Sequence, residues 1–163
     1  MERIISILLA IVTACTFYLN ANATTKEIPI PENVQLICTD AGEEFNVCPT
    51  ILMALVWMES RGEKKNLTQI TNVRWFKEGI NELGLGNVKK NQKANVRLCA
   101  WYLAKWCEET EDMGYALMCW NLGENNVPNS YKVGRYNFYS RKILELSAEW
   151  EDIYYESERL KNG

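Results

Sequence analysis

Residues 49–62 read PTILMALVWMESRG, and the rest of the chain is best read outward from them. Pro49 stands where a helix favours proline, in its first turn. Apolar residues then run almost unbroken from Ile51 to Met58. The run, led by Pro49 and closed by Gly62, predicts a buried helix from Pro49 to about Ser60 or Arg61. Its last turn carries one carboxylate. Glu59 lies three residues after Val56, four after Leu55 and seven after Leu52, so helical spacing puts it on the core-facing stripe. Burial disfavours a charged carboxylate, and the partial negative charge of a helix C-terminus pushes the same way. A carboxyl kept protonated near neutral pH is what general acid catalysis needs. A glutamate in a last helical turn, taken alone, is ordinarily solvated, so the remaining sequence has to decide.

Around that helix the pattern stays helical. Residues 34–45, VQLICTDAGEEF, predict a short helix that ends before the turn NVC. Residues 93–109, KANVRLCAWYLAKWCEE, predict another, with Val96, Cys99, Leu103 and Cys107 on one face. MGYALMCWN (113–121) predicts a third, and LGENNVPNS (122–130) a loop. From Asn137 onward a long helix is expected, with Tyr139, Ile143, Leu146 and Trp150 recurring on one stripe. Residues 63–92 are less regular, with short helices and loops at Gly79, Gly84 and Gly86. No stretch reads as a strand and no repeat occurs. The expectation is an all-α protein with one domain over residues 34–150, an extended leader over 24–33 and a charged helix end over 151–163.

The chain has 163 residues, room for one modest core. Its net charge of −3 gives no sign of a nucleic-acid surface. It has no histidine, which excludes His-based triads and His metal sites. Residues 1–23 read as a secretory signal peptide, with Arg3, the apolar run IISILLAIVTACTFYL and ANA at Ala21–Ala23 as the cleavage signal. Two other readings stay open: lipidation at Cys15, within VTAC, and an uncleaved membrane anchor. The expected location is secreted or in the cell envelope. Export favours disulfides, and Cys38 with Cys48 is the favoured pair, against the alternative of buried reduced thiols. Cys99 and Cys107, on one helix and about 12 Å apart, cannot pair with each other.

NVCPTILMALVWMESRG resembles the first motif of the soluble lytic transglycosylase family, which is goose-type-lysozyme-like. NLTQI (Asn66–Ile70) is similar to that family's GLMQI. There Asn66 stands in place of Gly, as the residue next most tolerant of a positive φ, and Thr68 in place of Met. ANVRLCAWYLAKW resembles the helix that follows, in its N…G..YL pattern. ALMCWNLGENNV (116–127) is similar to ALAAYNAGPGNV, with Trp120 for Tyr, and YSRKIL (139–144) to YVxKIL. These motifs follow in order over about residues 36–147.

The resemblance implies a lysozyme-like helical domain acting on the glycan strands of peptidoglycan. The bond cut would be the β-1,4 link from N-acetylmuramic acid to N-acetylglucosamine, with Glu59 as acid and then base. The product would be a 1,6-anhydro-muramic end, formed without metal or cofactor by a monomer. Ser60 would hydrogen-bond the sugar beside the acid, Gln69 would hold an N-acetyl group, and Asn121 would orient the sugar or fix its loop. Tyr139 would pair with Glu59, because a buried phenol and a buried carboxyl each need a partner. Trp75, Trp101, Trp106, Trp120, Tyr131 and Tyr136 are candidate sugar-stacking platforms or core residues. Two other functions stay open. A hydrolytic muramidase using Glu59 would need a second carboxylate, for which Glu63 and Glu124 are candidates. A catalytically silent glycan-binding protein of the same fold would tolerate Thr68 and Trp120.

Overall fold

The computed structural model describes residues 27–128 and 134–162. The expected targeting segment and Tyr131 lie outside the described residues. Those residues form six α-helices, two short 3-10 turns and no strand, so the class is all-α. The helices are α1 (Glu32–Phe45), α2 (Pro49–Ser60), α3 (Lys77–Glu82), α4 (Gln92–Thr110), α5 (Met113–Leu122) and α6 (Phe138–Asn162). The 3-10 turns cover Val73–Phe76 and Glu124–Asn126. No helix among the described residues is long and apolar enough to cross a membrane.

Helix α2 is central because its sequence leaves it no wet face. Every residue from Thr50 to Val56 is buried, with α1, α4 and α6 packed around it. Each fully buried leucine or methionine there contributes roughly 1.5–3 kcal/mol relative to an exposed one. The helix stops by two left-handed residues, Arg61 (φ 58°) and Gly62 (φ 76°), so the turn begins one residue earlier than the glycine predicts. Gly62 is needed for space as well as for φ. A Cβ there would lie 2.8 Å from Pro31 Cδ.

That contact brings in the leader. Ile28 and Ile30 are buried in the main core, and Gln35 Nε2 donates to the Ile30 carbonyl at 2.9 Å. Helix α1 accordingly begins at Glu32, two residues before the apolar pattern suggests. At the other end of the chain, Trp150 and Tyr154 of α6 are still core residues, and Tyr154 Oη lies 3.2 Å from Thr39 Oγ1 of α1. Two basic residues of α4 face α1. Lys93 pairs with Asp40 at 3.0 Å, and Arg97 grips Glu44 through Nε at 2.7 Å and a second guanidinium bond. Such exposed pairs contribute at most about 1 kcal/mol each.

A second hydrophobic cluster forms under residues 66–91, around Ile70, Phe76, Leu98, Trp101, Tyr102 and Met118. Trp120 packs against both clusters and so lies at the seam between them. The five described cysteines are free, so the favoured Cys38–Cys48 bridge is not formed. Cys38 is instead fully buried, where desolvation pushes its thiol far up, and Cys48 Sγ lies 3.2 Å from Thr50 Oγ1.

Two polar contacts set the register of α2 on α6. Thr50 Oγ1 meets Ser147 Oγ at 2.7 Å near the start of α2, and Glu59 meets Tyr139 at its end. The helices therefore run antiparallel. Thr50→Val should strand the buried Ser147 hydroxyl and cost about 1–3 kcal/mol in urea unfolding. Adding Ser147→Ala should recover part of that loss, because no unpaired polar atom remains; simple additivity of the two changes would contradict the contact.

Candidate active site

Glu59 sits half-buried at the end of α2, and Tyr139, in the first turn of α6, donates its phenol to Glu59 Oε1 at 2.6 Å. Two opposed effects act on the carboxyl. Burial raises its pKa above the ordinary 4.5, and the phenol hydrogen bond pulls it back in part; the net direction is up. The phenol itself is pushed up, first by burial and then by the neighbouring carboxylate, so it remains a donor. Cys99 lies beneath, fully buried, its thiol raised by desolvation first and then by the Glu59 charge. The sequence expectation that Glu59 and Tyr139 meet is thus met in geometry.

Residues 66–70 form a tight turn beside the acid. Asn66 is not the left-handed residue there. That role falls to Gln69 (φ 54°), a conformation that costs a non-glycine residue about 1–2 kcal/mol. Asn66 offsets this cost through its side chain, which accepts from Ile70 N at 3.0 Å and donates to Ile70 O at 2.9 Å. Gln69 Nε2 folds back onto the Asn66 carbonyl at 2.9 Å. Asn95 of α4, completely buried, anchors the whole turn. Its Oδ1 accepts from Thr68 N at 2.8 Å and from Thr68 Oγ1 at 3.0 Å, and its Nδ2 donates to Asn66 Oδ1 at 2.9 Å.

Glu59, Thr68, Gln69, Trp75, Trp120 and Asn121 line one open cleft of about 280 Å³. Five of the sequence-predicted residues therefore converge: Glu59, Gln69, Trp75, Trp120 and Asn121. Tyr139 supports the carboxyl from behind. Ser60 does not join them, because it is buried and turns its hydroxyl back to the Val56 carbonyl at 3.3 Å. Asn121 lies inside the last turn of α5 rather than capping it; Gly123 is the cap. Its Oδ1 accepts from Asn137 Nδ2 at 3.2 Å, and Asn137 Oδ1 in turn accepts from Ser140 N at 2.8 Å.

The aromatic candidates divide by burial. Trp101 is core, stacked on Gly79 and donating to Glu82 Oε1 at 3.2 Å. Trp106 packs beside Tyr102 and Tyr115. Tyr136 rests on Gly114 and donates to Asp112 Oδ1 at 3.0 Å. Trp75 and Trp120 are the ones that face the cleft. Of the candidate second carboxylates, Glu63 faces a separate surface groove with Lys65 and Lys90. Glu124 lines a cavity adjoining the cleft, where Tyr102 Oη donates to its Oε2 at 3.0 Å. Among the described residues no group of three or more Cys, Asp or Glu side chains could hold a metal ion.

Sequence reasoning missed Asn95 and Asn137 as the residues that hold the cleft walls. Asn137 had a readable signal, an Asn just before a helical pattern. Asn95 had none, since a buried amide inside a helix is defined by what it meets. No family model, curated protein or solved structure matches the chain.

Two outcomes follow from this geometry. Asn95→Ala should leave the Thr68 amide and hydroxyl without their buried acceptor and cost about 2–4 kcal/mol, read by urea unfolding. Glu59 has a folded pKa above its unfolded value, so its contribution to stability falls as pH rises from about 4.5 through the native value. Glu59→Gln removes that loss. In parallel thermal melts the variant should gain on the parent between pH 4 and pH 7; a constant gap would mean the carboxyl is not raised.

Proposed function

We propose that this protein is a lytic transglycosylase of lysozyme-like fold that cuts the glycan strands of peptidoglycan outside the cytoplasm. The supporting observation is a raised carboxyl, Glu59, hydrogen-bonded by Tyr139 and opening into a cleft walled by the segments whose motifs resemble that family. Residues 1–23, read as an export signal, agree with an extracytoplasmic substrate.

The chemistry asks one group to act twice. Protonated Glu59 gives its proton to the glycosidic oxygen while the bond from that oxygen to C1 of N-acetylmuramic acid breaks. The departing N-acetylglucosamine leaves as an alcohol. Positive charge at C1 is shared with the ring oxygen and supported by the sugar's own N-acetyl group. Ionised Glu59 then takes the proton of the C6 hydroxyl as O6 bonds to C1, closing the 1,6-anhydro ring. Glu59 ends protonated, as it began. Its raised pKa suits the first step, and the Tyr139 bond, which favours the anion, suits the second. Gln69, Thr71 and Asn121 are polar side chains lining the cleft and available to the sugar.

Glu59 is the one carboxylate lining this cleft among the described residues, so water has no second base there. An intramolecular hydroxyl held near C1 has an effective molarity on the order of 10⁵ M or more, far above that of water. Purified sacculi treated with the protein should therefore release fragments ending in 1,6-anhydro-muramic acid, one water lighter than hydrolysis products by mass analysis. Mainly reducing-end fragments would point to a muramidase and to Glu124 as the missing base. Glu59→Gln should fold and lose about 10²–10⁴-fold in rate.

Tyr139→Phe keeps the packing and removes a bond that lowers the Glu59 pKa. Activity falls as Glu59 loses its proton, so that limb of the pH–rate profile should move to higher pH. An unchanged limb would separate Tyr139 from the reacting carboxyl.

A further inference from the structure

The net charge of −3 hides a segregation along the chain. Residues 61–93 carry eight lysines and arginines against three glutamates, so this stretch is net +5 and the remainder of the chain net −8. Some of these cations are engaged within the molecule. Lys89 donates to the Thr71 carbonyl, and Lys93 pairs with Asp40 of α1 at 3.0 Å. Lys64, Lys65 and Lys90 are exposed and have no acidic partner among the described residues.

Lys65, Lys90 and Lys93 line one open groove of about 660 Å³, together with half-buried Ile37 and Gln92 and a single acid, Glu63. The groove shares no lining residue with the cleft at Glu59. Its backbone is anchored at three points. Glu63 N donates to the Ser60 carbonyl at 3.2 Å, which ties the segment to the end of α2. Gln92 Nε2 donates to the Lys64 carbonyl at 3.1 Å, and Asn91 Oδ1 accepts from Ala94 N at 3.1 Å at the start of α4. Lysines scattered singly over a surface serve solubility. Lysines gathered into one concave space repel one another, and the same space focuses their field on an incoming anion.

The glycan-strand reading above puts this groove against a wall whose anions lie on its peptides and on any phosphate polymer attached to it. Three features favour the peptides. Glu63 stands among the lysines, which opposes a uniformly charged phosphodiester chain and suits a peptide bearing an ammonium group beside its carboxylates. No arginine lines the groove, although the guanidinium fork is the group that matches phosphate best. Ile37 offers an apolar contact for a methyl side chain, and the volume is that of a site for a drug-sized ligand, enough for about two or three residues of peptide.

We infer that this groove is a docking site, separate from the catalytic cleft, for the acidic stem peptides of the wall, with Lys65 and Lys90 binding carboxylates and Glu63 accepting from an ammonium group. The inference rests on the wall reading and adds a second point of attachment to it. Lys89 holds the Thr71 carbonyl of the cleft wall while its neighbour Lys90 lines the groove, so one short segment borders both. A protein held by a peptide meets glycan at a raised effective concentration.

The test uses the Glu59→Gln protein, co-sedimented with sacculi so that binding is read without turnover. Lys65→Gln with Lys90→Gln should weaken binding about ten-fold at low salt and flatten its salt dependence, whereas Lys65→Arg with Lys90→Arg should retain both. Sacculi freed of peptides by an amidase should bind the parent and the Gln pair equally. In NMR titrations the released peptides should shift the backbone amides of residues 63–65 and 90–92. An undiminished affinity in the Gln pair, or a loss that persists on peptide-free glycan, would overturn the docking site. A loss that disappears once hydrofluoric acid has removed phosphate polymers would overturn it too, and assign the groove to those polymers. Peptide shifts with no anhydro fragments from the Glu59 protein would keep the docking site and remove the catalytic reading. Anhydro fragments with no peptide shifts would do the reverse.

Discussion

The hydrogen bond between Glu59 and Tyr139 is the constraint around which the rest is arranged. It joins the end of the most apolar helix to the start of the longest one, across 80 residues of chain. A carboxyl at the edge of an apolar core is tolerable only with a partner. A phenol is a suitable one, because it donates without carrying charge and so leaves the carboxyl free to gain or lose a proton. A lysine or arginine in its place would hold Glu59 ionised. The Thr50–Ser147 contact at the other end of the same helix pair keeps that meeting in register.

The cleft opposite Glu59 is built from backbone that would not hold its shape alone. Gln69 is left-handed, and residues 66–70 have no regular structure to stabilise them. Asn66 and Asn95 supply the missing hydrogen bonds from a side chain within the turn and one within α4. Asn121 is tied in the same way to Asn137, which also caps α6. Both walls therefore take their positions from amides anchored on helices, and rigid helices locate a site more accurately than loops do. Trp75 belongs to the same logic, being fixed by a buried neighbour while itself exposed.

Three residues around the cleft have structural roles of their own. Thr68 spends its amide and hydroxyl on Asn95, so it braces the turn from the inside while lining the cleft. Asn66 needs no positive φ and uses its side chain to brace the turn. Trp120 packs against both hydrophobic clusters and so joins them at the cleft.

The helices were written in local sequence, because period and stop signals are properties of neighbouring residues. The Pro49 start, the 93–109 pattern and the Asn137 start of the last helix all read within a residue or two of where the helices lie. The core-facing position of Glu59 was legible for the same reason. Contacts between distant segments were not. The leader's Ile28 and Ile30 look like linker until Gly62 gives them a surface to pack on. Ser60 reads as a site residue from its neighbour, yet its hydroxyl turns back into the helix. The sorting of the tryptophans, with Trp101 inside and Trp75 in the cleft, depends on which helix face meets another chain segment. Local spacing determined which residues share a helix face; only the packing of one face on another decided which of them meet at Glu59, because burial is a property of the pair.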